Sequence, residues 1–308
     1  MKNEVFRSPL FYVGDKYKLI KEIHGYFPAK INKFIEPFAG GGSVFMNVRA
    51  EEYYLNDIDK NVYQLHIFLQ EQAKTPALFY EKIEAEIEKY GLSRSYKTDI
   101  IPSKLKEEWK KTFYAKFNQE GFERLRNDFN LSDKQNILHL YLLLIYGFNR
   151  MIRFNSAGNY NLPTGNVDFN GNVVSALNNY FKINLKRKIN WFNRDYIDFV
   201  ESIEINSNDF VYFDPPYLIT FSEYNKLWNI EKEKEMIEKL DSLNEKNIKF
   251  AVSNVTHYKG NENTLFSEWA KKYQAFPIKS NYISYHDNSV KSFKEVLVTN
   301  YEQTKIQL

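Results

Sequence analysis

Residues 210–217, Phe-Val-Tyr-Phe-Asp-Pro-Pro-Tyr, run from apolar side chains into a carboxylate, two prolines and an aromatic ring. A strand stopping there sets Asp214, the Pro215 carbonyl and the Tyr217 ring at the carboxyl edge of a sheet, where open α/β folds bind ligands. Prolines lack an N–H and fix φ, so the turn is rigid and rich in acceptors. That arrangement suits an amino group: Asp214 and the Pro215 carbonyl each accept one N–H, and Tyr217 stacks on the ring bearing the amine. The same residues would also make a plain strand-ending turn over a buried tyrosine, and alone the two readings weigh evenly.

A second constellation is Phe34-Ile-Glu-Pro-Phe38-Ala-Gly40-Gly41-Gly42-Ser43. A glycine turn between the first strand and helix of an α/β sheet lets the backbone approach a ligand closely. An acid ending the next strand can then accept from ribose hydroxyls, and Asp57 stands 17 residues after Gly40. The glycines do not fit Gly-x-Gly-x-x-Gly, because Phe45 holds the third position, which weakens a pyrophosphate reading. On spacing alone, a nucleoside cofactor and a tight turn with a surface acid stay open. Together with Asp-Pro-Pro-Tyr, the ligand reading is favoured.

These residues need elements to position them. Apolar spacing predicts a helix over Lys16–Tyr26 ended by Pro28, a strand over Lys33–Phe38, and a helix capped by Ser43. A strand at Tyr53–Asn56 and a helix at Val62–Gln72 follow. Thr75–Asn136 is Lys/Glu-rich with helical spacing, as in FYEKIEAEIEKYG, and Ile137–Tyr146 is an apolar helix. The Asn/Gly-dense run after it contains a hairpin turn at Ser156-Ala-Gly-Asn159. Strands are then expected at Lys188–Phe192, Phe210–Phe213, Lys249–Ser253 and Glu295–Asn300, with helices at Ile230–Leu243 and Thr264–Lys272. This alternation predicts an open, mostly parallel α/β sheet of residues 1–70 and 185–308, interrupted by a mostly helical insert, 71–184, that carries the hairpin.

Composition narrows the chemistry. The 308 residues contain no cysteine, so disulfides, thiolate nucleophiles and Cys-ligated zinc or iron–sulfur centres are excluded. Basic residues number 42 and acidic 39, and mean hydropathy is −0.55. A soluble, cytoplasmic protein without metal or membrane partner is expected. The longest apolar run, Ile137–Gly147, falls short of the roughly 20 residues of a membrane span, and MKNEVF lacks a signal-peptide stretch. The many aromatics, 23 Tyr and 25 Phe, are core residues first and stacking platforms second.

The motifs Ser8-Pro-Leu-Phe-Tyr-Val-Gly-Asp-Lys-Tyr-Lys-Leu19, FIEPFAGGGSVF, YLNDID, YGFNRMIRFNSAGNYNLPTG and DPPY, in that order, resemble the Dam-type DNA adenine methyltransferases. The resemblance implies a Rossmann-like methyltransferase sheet with an inserted target-recognition domain, and S-adenosylmethionine as cofactor. It implies that Phe38, Gly40 and Gly42 line the cofactor site, that Asp57 holds the ribose, and that Tyr12, Lys16 and Asp195 lie at the cofactor. Lys16 would pair with the methionine carboxylate, and Asp195 would reach the adenine amine. A buried Tyr12, a solvated Lys16 and a helix-capping Asp195 are the plainer alternatives. The family usually has Gly-Gly-Lys at Gly14-Asp15-Lys16 and an aromatic at Thr164, and the second departure leaves a GATC target open.

The implied reaction is methylation of the N6 amine of an adenine flipped out of duplex DNA, with double-stranded DNA as partner and a cognate restriction endonuclease as a possible second one. RNA adenine or protein glutamine methylation is the alternative. Cytosine C5 methylation requires a Cys nucleophile and is excluded. Asn149, Arg150, Arg153 and Asn155 flank the hairpin and suit groove contacts, Arg to guanine and Asn to adenine; they suit phosphate clamping or turn-building as well. Lys97, Lys104, Lys106, Lys110 and Lys111 suit nonspecific steering, or a solvated face. A dinucleotide-dependent oxidoreductase would not explain DPPY, and a noncatalytic DNA-binding module would not explain the glycine turn.

Overall fold

A computed structural model describes residues 5–98, 100–132, 134–220, 228–279 and 293–302. Strands β1 (Lys33–Glu36), β2 (Glu52–Asn56), β3 (Lys188–Phe192), β4 (Phe210–Phe213) and β5 (Lys249–Tyr258) pair in parallel in the order β3-β2-β1-β4-β5. Beyond β5 the sheet turns antiparallel: β8 (Lys294–Thr299) joins β5, β7 (Gln274–Ile278) joins β8, and the short β6 (Asn261–Glu262) folds back on β5. The fold is mixed α/β with a mostly parallel central sheet. Its central strand β4 is buried at every residue, as expected when both faces are covered.

Alternate residues of the strands feed two apolar layers. Phe34, Phe210 and Tyr212 face one layer, while Ile35, Val211 and Phe213 face the other. The second layer is closed by α9 (Tyr196–Glu201), α10 (Ile230–Glu245) and α11 (Thr264–Ala270). The first holds α1 (Ile20–His24), α2 (Ser43–Asn47) and α3 (Lys60–Gln72), and continues without a break into α4 (Pro76–Tyr90), α6 (Phe113–Leu131), α7 (Ile137–Tyr146) and α8 (Gly171–Lys186). In α4 the buried Phe79, Ile83, Ile87 and Tyr90 form one stripe, and Gly91 ends the helix with φ 65°. All residues of α7 from His139 to Tyr146 are buried, so this helix is wrapped by its neighbours. The short α5 (Ser103–Trp109) has no buried residue.

Several boundaries move. The first helix shrinks to Ile20–His24, because Lys16 is drawn inward and the residues before Ile20 form turns. β1 stops at Glu36, since Pro37 has no N–H for the ladder. Gly42, with φ 79°, occupies the cap of α2 in place of Ser43. β5 runs on to Tyr258 because β8 and β6 pair with its far end. Helix α8 and strand β7 go beyond the expected elements, and α9 is the helix that the plainer reading of Asp195 has it cap. The hairpin turn is present as single bridges, Phe154 with Tyr160 and Gly147 with Thr164, as suits an Asn/Gly-dense run of low strand propensity. Among the described residues no helix is long and apolar enough to cross a membrane, and no cluster of His, Cys, Asp and Glu could hold a metal ion.

Candidate active site

All five parallel strands point their carboxyl ends at one edge, and the loops leaving that edge carry Phe38–Gly42, Asp57, Asp195 and Asp214–Tyr217. Asparagines staple these loops together. Asn56 donates to the carbonyls of Pro37 and Arg194, both at 3.0 Å, and accepts from the Arg194 N–H at 3.0 Å. Asn193 donates to the carbonyls of Asp57 at 2.7 Å and Ile58 at 3.0 Å.

The glycine turn is held from both sides. Asp57 accepts from the Gly40 N–H at 2.8 Å and from the Asp59 N–H at 2.9 Å. Burial pushes its carboxyl up to about 6, although the two amides pull the other way. On the opposite side the His66 ring spans the Gly40 carbonyl and the Tyr180 hydroxyl, 2.9 Å from each, and stacks on Trp191 at 3.9 Å. Burial lowers the His66 imidazole to about 4, so it is neutral at pH 7. Tyr12 is buried against the turn: a β-carbon at Gly41 would lie 2.8 Å from that of Tyr12. At Gly42 one would fall 2.5 Å from the Phe45 ring, whereas at Gly40 the nearest atom is 4.0 Å away. Gly42 is thus demanded by the protein's own packing, and Gly40 has space beside it.

Lys16 is no solvated lysine. Its Nζ lies 2.8 Å from Asp214 Oδ1, donates to the Tyr217 hydroxyl at 2.7 Å and sits 3.7 Å from Glu295 Oε1. Tyr217 in turn reaches Asp214 Oδ1 at 3.1 Å and Glu295 Oε1 at 3.0 Å. Burial raises the Asp214 carboxyl above its ordinary value, opposed chiefly by the Lys16 ammonium. Glu36, at the end of β1, is fully buried, and burial followed by the Asp214 charge holds it well above the carboxylate range. One oxygen each of Glu36 and Glu295 has no hydrogen-bond partner among the described residues. Acid thus outnumbers base around Lys16, an arrangement that favours positive charge nearby.

Phe38 lies on the flank towards β3. Its ring centroid is 5.0 Å from Tyr196, 5.6 Å from Trp228 and 6.2 Å from Phe213. Asp195 caps α9 by accepting from Ile197 N–H at 2.9 Å, and its other oxygen is 3.5 Å from Lys232 Nζ. The plainer reading of Asp195 therefore describes what it does here.

The four hairpin-flanking residues divide. Arg153 donates to Asn161 Oδ1 at 2.8 Å, and Asn155 accepts the N–H groups of Ala157 at 3.0 Å and Asn159 at 2.9 Å, so both build the hairpin. Asn149 is exposed, with φ 53°. Arg150, with φ 51°, lays its guanidinium 4.0 Å over the Phe11 ring, to which Arg7 also comes within 4.6 Å. Burial, then the charge of Arg7, lowers Arg150 to about 10.

Motif reasoning missed Glu295, His66, Tyr180 and Glu36. His66 left a trace, as a polar residue on the inward stripe Val62, Leu65 and Leu69 of α3. Glu295 left none, because it is on the site only through the antiparallel entry of β8.

The model of the D12 class N6 adenine-specific DNA methyltransferases matches residues 12–286. The modification methylase StsI of Streptococcus sanguinis is 33% identical over 98% of this chain and 44% of its own length. The type II methyltransferase M.FokI of Planomicrobium okeanokoites is 35% identical over 97% of this chain and 43% of its own. The chain thus spans less than half the length of these two relatives. The DNA adenine methylase of Escherichia coli K12 is 25% identical over 90% of this chain and 88% of its own length. The edge residues Tyr12–Gly42, Asp57 and Asp214–Tyr217 all fall within the matched span, and the chain belongs to the D12 class N6 adenine-specific DNA methyltransferase family.

Proposed function

We propose that this chain transfers a methyl group from S-adenosylmethionine to the exocyclic N6 amine of an adenine flipped out of duplex DNA, as the modification enzyme of a restriction–modification system. The observation that carries the reading is the buried cluster of Lys16, Asp214, Tyr217 and Glu295 beside an acceptor-rich turn at the carboxyl edge. Residues 71–184 are the target-recognition unit in this reading, and a restriction endonuclease is the expected biological counterpart.

The cofactor supplies an already electrophilic methyl, and the excess acid around Lys16 suits its positive sulfonium and ammonium groups. Gly40 and Gly42 would line its site with Phe38 and Tyr12, Asp57 would take the ribose hydroxyls, and Lys16 and Asp195 would hold its two ends. The protein's task is to make a poor nucleophile effective, because the adenine lone pair is delocalised into the ring. Asp214 and the Pro215 carbonyl accept the two N–H groups and favour a pyramidal nitrogen whose lone pair points at the methyl carbon. The same acceptors stabilise the positive charge that grows on nitrogen as the N–C bond forms and the C–S bond breaks. Extruding the base costs a few kcal/mol, and stacking on Tyr217 returns roughly 1–3 kcal/mol. Asn149 and Arg150 read or clamp the duplex, with Arg153 and Asn155 shaping the hairpin beside them.

The test incubates purified protein and isotopically labelled S-adenosylmethionine with unmethylated genomic DNA, and with bulk RNA in parallel. Label recovered as N6-methyldeoxyadenosine is the expected result. Label solely in RNA, or in neither nucleic acid while the cofactor still binds, would replace this reading with RNA adenine or protein glutamine methylation.

A further inference from the structure

We infer that Glu295 is a positioning residue for the amine-binding carboxylate: it draws on the Tyr217 hydroxyl and the Lys16 ammonium and so keeps Asp214 a strong acceptor. The inference rests on the reaction proposed above and extends it to a residue outside every motif.

Topology delivers Glu295 to the site. The first five strands of the sheet run parallel, so their carboxyl ends share an edge; β8 is antiparallel, so its beginning reaches that edge. Glu295, the second residue of β8, is paired between Val255 and Ile278, and only 1% of its side chain is exposed. Burying a carboxylate there is costly unless it is paired and hydrogen-bonded. It finds the Tyr217 hydroxyl at 3.0 Å and the Lys16 ammonium at 3.7 Å.

Those partners are the groups that also touch Asp214. Tyr217 has one hydroxyl proton, and among the described residues two carboxylate oxygens lie within its reach, Asp214 Oδ1 at 3.1 Å and Glu295 Oε1 at 3.0 Å. Donation to Glu295 withdraws the proton from Asp214, and attraction of Lys16 to Glu295 dilutes its ion pair with Asp214. Both raise the electron density Asp214 presents to an N–H donor. Without the second carboxylate, tyrosine and lysine would both spend their donors on Asp214, which would then compete less well for the amine. Among the described residues, the charged and titratable groups facing Asp214 are Lys16 from the N-terminal loop, Glu36 from β1, Tyr212 from β4, Tyr217 from its own turn and Glu295 from β8. Of these, Glu295 is the like charge linked to it through shared partners.

The experiment compares wild type with Glu295→Gln and Glu295→Asp on the DNA site that wild type methylates. Glu295→Gln is expected to lower kcat about tenfold, a fraction of what a full acid–base group contributes. Its kcat profile should hold its acid limb at lower pH than wild type, because the neighbouring negative charge that favours the protonated form of Asp214 is gone. Binding preference for duplex with adenine over duplex with purine, which lacks the amine, should shrink at the target position. Glu295→Asp should restore the acid limb and most of the rate. In a Tyr217→Phe background, Glu295→Gln should cost less than about threefold, since the shared hydroxyl is absent. An unmoved acid limb, equal losses in both backgrounds, or unchanged kcat in Glu295→Gln would overturn the inference while wild-type transfer leaves the function standing. Failure of wild type to methylate DNA would instead overturn the function, and this inference with it.

Discussion

Replacing Lys16 by methionine should destabilise the protein in a strongly pH-dependent way. The ammonium is nearly inaccessible, and it is 2.8 Å from Asp214 and 3.7 Å from Glu295. Removing one partner of a buried ion pair leaves an uncompensated charge and costs about 3–5 kcal/mol. Asp214 limits the loss by taking a proton. Burial already holds this carboxyl above its unfolded value, and Lys16 is the main influence pulling it down; deleting Lys16 moves it higher. A carboxyl whose pKa is raised by folding binds a proton on folding, so its penalty is absent below the unfolded value. The penalty grows as pH rises through the folded value and levels off above it. Lys16→Met should therefore resemble wild type near pH 4 and be most destabilised near pH 8. Unfolding entropy is about 2.1 cal/mol/K per residue, so 3–5 kcal/mol in this chain corresponds to roughly 5–8 °C in Tm. Scanning calorimetry from pH 4 to 8 measures it, and Lys16→Met combined with Asp214→Asn should recover most of the loss. A Tm drop of equal size at every pH, or none at pH 8, would refute the charge argument.

Three further outcomes are expected. Asp214→Ala should reduce methyl transfer by at least about a hundredfold, the scale of losing one preorganised electrostatic contact, with an unchanged far-ultraviolet circular dichroism spectrum; full activity would remove Asp214 from the chemistry. Gly41→Ala should cost about 1–3 kcal/mol by driving a methyl into Tyr12, whereas Gly171→Ala, at the start of α8 with nothing within 4 Å, should be neutral or slightly stabilising in urea unfolding. Arg150→Ala should weaken or relax DNA recognition and reduce the salt dependence of binding. An unchanged sequence preference and salt slope in that variant would take Arg150 out of the interface.

The linear order of residues determines much of this protein because its chemistry-bearing groups sit at strand ends. A four-residue apolar run stopping at Asp-Pro-Pro-Tyr can scarcely be anything but a buried strand entering a rigid turn, and β4 spans Phe210–Phe213. The glycine triplet and Asp57 are likewise joined over a short stretch of chain, by the Gly40 N–H to Asp57 contact at 2.8 Å. Helix α7 was legible because ten residues with one polar interruption have few other ways to be buried.

What stayed hidden depends on contacts between residues far apart in the chain. The resemblance sets Lys16 at the cofactor, but its ion pair with Asp214, 198 positions away, exists only in the fold, and Glu295 carries no local signal because an antiparallel strand brings it in from the far end of the chain. Arg153 and Asn155 have the side chains of DNA readers, yet spend their hydrogen bonds on their own hairpin. Side-chain type limits the chemistry a residue can do. Whether it does so depends on which donors, acceptors and charges the fold sets within about 3 Å of it, and for these residues tertiary packing made that choice.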